Sequence, residues 1–271
     1  MRLVVVGGGR MGRALLGGLL RSGWVEPGEI GIVEPLEATR HDLSHRFPGV
    51  ALSATPVPAD AAVLAVKPGD AEAAATALAG LGLRRLVSIV AGVTTTHLGS
   101  WLGGGTAVLR AMPNMPAVLG AGATAVAGGS SATEDDFAWA EAVLSSFGVV
   151  ARVPEKLLDA VTGLSGSGPA YVFLLAEALE EAGVTQGIER EVSHLLVAHT
   201  LLGSARMLVE MGESAATLRS AVTSPGGTTA AGLRSLERLG MRSAMIEAVA
   251  AATERARELG REAEAKGSAQ P

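Results

Sequence analysis

Two glycine-rich stretches at opposite ends of the chain have the residue types and spacing to hold anions. Near the carboxyl end runs Val222-Thr223-Ser224-Pro225-Gly226-Gly227-Thr228-Thr229-Ala230-Ala231-Gly232-Leu233. Adjacent glycines remove the side chains that would keep a ligand off the backbone, Ser224, Thr228 and Thr229 add hydroxyls, and Ala230, Leu233 and Leu236 begin an apolar rhythm at helical spacing. A helix opened this way presents free N–H groups and the positive end of its macrodipole, which bind a carboxylate or phosphate without a basic side chain. An ordinary capped helix after a Ser-Pro-Gly turn fits this stretch equally well when it is read alone.

The second stretch is Gly7-Gly8-Gly9-Arg10-Met11-Gly12, between the β-branched run Leu3 to Val6 and a helical pattern of Leu15, Leu16, Leu19 and Leu20. Strand, glycine turn and helix in this order, with Gly7-x-Gly9-x-x-Gly12, form a dinucleotide fingerprint: a tight turn, room for a pyrophosphate, and close helix packing. Glu34 ends the next strand, Ile30 to Val33, where an acidic residue commonly bonds the adenosine ribose of NAD and opposes a 2′-phosphate. Arg40, inside the following helix, is placed to meet such a phosphate, so these residues leave the choice of nicotinamide cofactor open.

The elements that must position these stretches alternate through the first half. Strands are expected over Ala61 to Val66, Leu86 to Val90, Ala107 to Arg110, Gly122 to Val126 and Val149 to Val153, and helices over Asp70 to Leu78, Thr94 to Leu102 and Glu134 to Phe147. Ala65-Val66-Lys67-Pro68, Ala91-Gly92-Val93 and Met112-Pro113-Asn114-Met115-Pro116 then fall at carboxyl edges of strands, where doubly wound sheets bind their ligands. The last of these, with two prolines, is expected to be neither helix nor central strand and to meet the nicotinamide end of a cofactor. From Glu155 onward only helical patterns occur, which divides the chain into a Rossmann-type dinucleotide-binding domain (residues 1–153) and an all-α domain (residues 154–271). Leu157 to Leu164 begin a helix that runs into Gly163-Leu164-Ser165-Gly166-Ser167-Gly168-Pro169, where small residues allow close approach of a ligand or a helix and Pro169 suits a first helical turn. A long apolar helix carrying Val192, Leu195, Leu196, Leu202, Leu208 and Val209 points to packing on a second subunit, at least a homodimer. The charged tail from Arg255 is expected to fray.

Composition narrows the function classes. Of 271 residues 48% are hydrophobic and 18% charged, and the net charge of −5 provides no basic field for nucleic acid or an anionic membrane. With no cysteine there are no disulfides, thiolate nucleophiles or cysteine metal sites. A strand starting at Leu3 leaves no room for a signal peptide, and the uncharged stretches around Arg110 are broken by Gly, Pro, Thr and Asn, so a cytoplasmic protein without membrane partners is expected. His41 and His45 share a helix face with no third metal ligand nearby and are expected at the surface; His194 and His199 fall on different faces, and Ser165 and Ser167 do not form a nucleophile elbow. Tyr171 is expected in core or interface.

Taken together, these stretches resemble the pyrroline-5-carboxylate reductase family over nearly the whole chain. The resemblance rests on Gly7-x-Gly9-x-Met11-Gly12, Ala65-Val66-Lys67-Pro68, Ala91-Gly92-Val93, Met112-Pro113-Asn114, the run Asp159 to Tyr171, and Val222 to Thr229. It implies a Rossmann domain followed by a helical dimerisation domain, dimers that assemble further into a ring, and an active site shared between subunits. The implied cofactor is NADP(H), with NAD(H) as the alternative, held by Gly7 to Gly12, Glu34, Ala65 to Pro68, Ala91, Gly92, Met112, Pro113 and Asn114. Ser224, Gly226, Gly227, Thr228 and Thr229 would hold the substrate carboxylate, and Thr162 takes the family position whose hydroxyl lies near the ring nitrogen. One departure is Glu34-Pro35-Leu36, where many members carry a Ser- or Asn-bearing segment for the 2′-phosphate. The resemblance implies reduction of 1-pyrroline-5-carboxylate to L-proline, the last step of proline biosynthesis. A β-hydroxyacid dehydrogenase shares the opening motif but needs an asparagine four residues after its lysine, and Lys156 is followed there by Ala160. A dinucleotide-sensing scaffold would not need the second anion site.

Overall fold

The structure, a computed structural model, describes residues 1–267. It contains two compact units: Met1–Ser167 with the chain from Ala250 onward, and Gly168–Val249. The strands end near Pro154, but by packing residues 155–167 stay with the sheet.

The first unit contains β1 (Leu3–Val6), α1 (Arg10–Arg21), β2 (Ile30–Val33), α2 (Glu37–Arg46), β3 (Ala51–Ser53), β4 (Ala61–Leu64), α3 (Ala71–Leu78), β5 (Arg85–Ser88), α4 (Thr95–Leu102), β6 (Ala107–Met112), β7 (Gly122–Gly128), α5 (Glu134–Leu144), β8 (Gly148–Arg152) and α6 (Leu158–Val161). The sheet order is β3-β2-β1-β4-β5-β6-β7-β8; the first six strands are mutually parallel, β7 runs antiparallel to β6, and β8 runs parallel to β7. The strand order 3-2-1-4-5-6 is that of a dinucleotide-binding sheet. Strand side chains alternate between faces, and both faces are covered, so β1, β2 and β4 are buried throughout. Leu3 and Val5 join Ile32, Val63, Leu15, Leu19 and Phe147 in one core, while Val4 and Val6 join Leu64, Leu86, Ala75 and Leu98 in the other.

The second unit contains α7 (Gly168–Thr185), α8 (Arg190–Glu210), α9 (Ala215–Ala221) and α10 (Thr228–Arg238), with the start of α11 (Met241–Gly267). Here α7 and α8 pack closely enough that a Cβ on Gly183 would lie 2.3 Å from Ser193 Oγ, whose hydroxyl donates to Glu180 O. Among its described residues no apolar side chain is buried within the single chain, and Phe173, Leu174, Leu195, Leu196, Leu202 and Val209 are exposed. The helix Arg190–Glu210 is also long and apolar enough to cross a membrane by length and composition.

Several elements differ from the sequence expectation. The short edge strand β3 has no strong sequence signal, because its three residues are only partly covered. The segment at Met112 to Pro116 is not free of regular structure: Met112 closes β6, and Met115–Leu119 forms a 3-10 turn in which Pro116 lies in the first turn, where its missing N–H costs nothing. The helix expected from Leu157 is a chain of three turn types, 3-10 over Glu155–Leu157, α over Leu158–Val161 and π over Thr162–Gly166. The tail does not fray at Arg255: α11 continues to Gly267, with Arg255 bridging Glu258 and Glu262, and Glu254 bridging Arg257 and Arg261. Its Ser-Ala-Gln-Pro end lies outside the described residues.

Candidate functional site

The glycine turn after β1 has the geometry its spacing demands. Gly7 has φ +111, and a Cβ there would lie 2.4 Å from Ala65 O; one on Gly12 would lie 2.0 Å from Gly7 O. Both positions are therefore closed to any larger residue by the fold itself. A Cβ on Gly9, the N-cap of α1, would have no neighbour within 4 Å, so the turn is bare on the side where a pyrophosphate would approach the helix N-terminus. Arg10 is exposed, Met11 is half-buried against the core, and Arg13 Nε donates to Gly8 O at 2.7 Å while its guanidinium also pairs with Asp42.

Glu34, at the carboxyl end of β2, is buried. Its Oε2 accepts from Gly8 N at 3.0 Å and its Oε1 from Leu36 N at 2.9 Å. Arg40 does not extend toward an open phosphate position; its Nη1 donates to Glu34 O and to Pro35 O, each at 2.7 Å. The remaining edge segments lie along the same side of the sheet. Ala65 and Val66 are half-buried after β4, and Lys67 and Pro68 are exposed. Gly92 has φ +78 and lies so close to α11 that a Cβ would meet Gly260 Cα at 3.2 Å, a packing role that its neighbours along the chain do not reveal.

Asn114 serves structure through its side chain. Its Nδ2 donates to Ser165 O at 3.2 Å and its Oδ1 accepts from Ala123 N at 2.8 Å, tying the turn after β6 to the π turn and to β7. In that π turn Ser167 N donates to Thr162 O at 2.8 Å, and the Thr162 hydroxyl donates back to Leu158 O at 2.9 Å. An inserted π turn costs helical regularity and commonly marks a functional position. Met112 and Gly166 are in contact distance, since a Cβ on Gly166 would lie 2.9 Å from Met112 Cε.

One buried polar cluster escaped sequence reasoning. Glu155 accepts from Thr95 N at 2.7 Å, from Thr95 Oγ1 at 2.6 Å and from Arg110 Nη1 at 3.0 Å. Burial disfavours its charge, but the Thr95 hydroxyl and N–H, then Arg110, outweigh burial and hold the carboxyl below its ordinary range. The two partners lie 45 and 60 positions from Glu155, so no local pattern links them. They fasten the start of α4, just past Ala91-Gly92-Val93, to β6 and to the segment leading into the π turn.

In the second unit the helix opening is as the sequence suggested. Gly226 has φ +71, Gly227 is the N-cap of α10, and no side chain caps the helix. Gly227 N donates to Ser224 O at 3.1 Å, and a Cβ on Gly227 would lie 2.5 Å from Ser224 Oγ, so the turn favours glycine at 226 by its positive φ, and a side chain at 227 would displace the Ser224 hydroxyl. The first-turn N–H groups of Thr228, Thr229 and Ala230 have no partner inside the helix. Ser224, Thr228 and Thr229 are not buried in the single chain.

His41 and His45 are not buried and meet ring edge to face at 4.7 Å; no group of three metal-binding side chains occurs among the described residues. His194 is taken by Glu180 at 2.9 Å, and Tyr171 donates to Ala248 O at 3.4 Å.

Comparison with known proteins joins these features. The family profile for pyrroline-5-carboxylate reductase dimerisation matches residues 155–259, and one for an NADP oxidoreductase, coenzyme F420-dependent, matches residues 2–92. A pyrroline-5-carboxylate reductase from Synechocystis sp. is 43% identical, covering 96% of this chain and 99% of the relative. This chain belongs to the pyrroline-5-carboxylate reductase family. The Mycobacterium tuberculosis reductase is also 43% identical, over 95% of this chain and 96% of its own length. Among solved structures, the reductase from Coxiella burnetii superposes with a TM-score of 0.90 at 35% identity, covering 95% of this chain and 98% of the other. The Plasmodium falciparum enzyme, solved with NADP bound, gives 0.82 at 28% identity, covering 96% and 98%. Members are NAD(P)H-dependent oxidoreductases with a Rossmann-type sheet followed by helices, the architecture found in this chain.

Proposed function

We propose that this chain reduces 1-pyrroline-5-carboxylate to L-proline with NAD(P)H, the last step of proline biosynthesis. The observation that carries the reading is the pairing, within one member of this family, of a bare glycine turn after β1 with an uncapped glycine-opened helix, α10. When bound, the nicotinamide supplies a hydride for the imine carbon. Gly7 to Gly12 would hold the pyrophosphate, Glu34 the adenosine ribose, and the edges at Ala65 to Pro68, Ala91, Gly92, Met112 and Pro113 would line the rest of the dinucleotide. Asn114 contributes by positioning the π turn rather than by its own amide.

The N–H groups of Thr228 and Thr229, with the Ser224 and Thr229 hydroxyls and the open backbone of Gly226 and Gly227, would fix the substrate carboxylate. Thr162 already donates its proton to Leu158 O, which leaves its oxygen as an acceptor. It suits a protonated ring nitrogen: Thr162 would orient an iminium N–H rather than deliver a proton. No strong acid is needed, because the imine takes its proton from water and the iminium is itself a hydride acceptor. Catalysis then rests on holding the two partners in register.

The uncovered apolar surface of α7 and α8 supports an obligate dimer, which would build further into a ring; the dimerisation profile, which begins at residue 155, supports a break in the sequence near Pro154, although residues 155–167 pack with the sheet. With that surface taken by a second subunit and a net charge of −5, the assembly would work in the cytoplasm without nucleic acid or membrane partners. The test is loss of reduced-nicotinamide absorbance on adding pyrroline-5-carboxylate. Thr229→Ala should raise the substrate KM more than the cofactor Kd, and equal losses would refute the carboxylate assignment; an unchanged kcat in Thr162→Ala would remove that residue from the mechanism.

A further inference from the structure

We infer that this chain binds NADH in preference to NADPH, and that Glu34 decides the choice by occupying the backbone donors a 2′-phosphate would need. The inference rests on the dinucleotide reading of the Gly7–Gly12 turn. A 2′-phosphate carries up to two negative charges and must be met by N–H donors or cations at the carboxyl end of β2 and the start of α2. The donors nearest the Glu34 carboxylate are already committed, while the first-turn N–H groups of Glu37, Ala38 and Thr39 in α2, which no side chain caps, lie beyond it. Gly8 N and Leu36 N donate to the two oxygens of the Glu34 carboxylate, at 3.0 Å and 2.9 Å. Arg40 is held against the carbonyls of Glu34 and Pro35, and Arg13 is divided between Gly8 O and Asp42.

The arrangement also selects positively. A carboxylate oxygen has capacity for a second hydrogen bond after accepting one backbone N–H, so Glu34 can still take the ribose hydroxyls as donors. Burial fixes its position, and a Cβ on Gly8 would lie 3.0 Å from Glu34 Oε2, so the carboxylate and the glycine turn are fitted to each other. A phosphate at the same place would face the Glu34 anion with the Gly8 and Leu36 N–H groups and Arg40 withdrawn, and Glu37 adds a second carboxylate in the first turn of α2. Arg10 is the one exposed cation of the glycine turn, and it lies on α1 rather than at the β2 edge.

The same geometry makes the choice reversible. Shortening Glu34 to serine removes the charge and frees the N–H groups of Gly8 and Leu36, converting the carboxylate's seat into a pocket of backbone donors beside Arg40. The experiment is titration of the full chain with NADH and with NADPH by nicotinamide fluorescence, and competition by ADP-ribose against its 2′-phosphorylated form, which reads the adenosine half alone. The wild type should bind NADH at least about tenfold more tightly, equivalent to about 1.4 kcal/mol, and Glu34→Ser should shrink that ratio by at least the same factor. A smaller wild-type ratio, or a ratio the serine variant leaves in place, overturns the inference. If the serine variant shows no cooperative thermal transition, Glu34→Gln replaces it with the same expectation. Binding of neither dinucleotide overturns the fingerprint reading and this inference together. A preserved ratio in a protein that does not reduce pyrroline-5-carboxylate overturns the proposed reaction and leaves the inference standing, whereas reduction with equal affinity for both cofactors does the reverse.

Discussion

Replacing Glu155 by glutamine tests whether the buried cluster at the start of α4 holds the sheet to the helical segment that follows. The carboxylate takes three hydrogen bonds, two from Thr95 and one from Arg110, whose side chain is only 9% exposed. Glutamine keeps one acceptor but removes the charge, so Arg110 stays buried without its anion. Breaking a fully buried pair costs about 3–5 kcal/mol. Because the Glu155 side chain is 27% exposed, water moderates the loss, and about 2–3 kcal/mol is expected. For a chain of this length that lowers Tm by roughly 4–10 °C. The assay is thermal unfolding near pH 7 at fixed protein concentration, since an oligomer's Tm depends on concentration. The double variant Arg110→Met with Glu155→Leu should recover part of the loss, because it removes both charges together. A drop below about 0.5 kcal/mol in Glu155→Gln, the range of ordinary surface changes, would refute the reasoning. So would a double variant that loses the sum of its two single changes.

Acid should weaken the fold through the same residue. Glu155 and Asp136 have ordinary values of 4.5 and 3.8 and are held lower in the folded chain, where burial is outweighed by bonds from Thr95 and Arg110 in one case and from Thr133 and Arg85 in the other. Their contribution is complete above the unfolded values and is lost as pH falls through the folded ones, because the unfolded chain binds more protons there. Tm measured from pH 7 to pH 3 should fall most steeply below about pH 4.5, and Glu155→Gln should flatten part of that fall; identical profiles would argue against the cluster. Alanine at Gly9 and at Gly12 should behave oppositely. Gly9→Ala has open space and should melt like the wild type while binding dinucleotide about tenfold more weakly. Gly12→Ala puts a methyl 2.0 Å from Gly7 O and should lose cooperative unfolding or several degrees of Tm. Equal melting of the two would contradict the packing.

The parts legible from sequence are those written in short windows. Leu3 to Val6, the glycines at 7, 9 and 12, and Leu15 to Leu20 state a strand, a turn and a helix through contiguous residue types, and Gly226-Gly227 before an apolar helix states its own N-terminus. Nearby chain geometry forces these choices: Gly7 and Gly12 face each other across one turn. Only the tertiary structure decided which partners distant residues find. Glu155 meets Thr95 and Arg110, Asn114 spends its amide on Ser165 and Ala123, Gly92 yields to Gly260, and Arg40 turns back onto the backbone. Side-chain type fixes what a residue can bond, but the sheet order and the close packing of helices fix what it is offered, and that is a property of the folded chain as a whole.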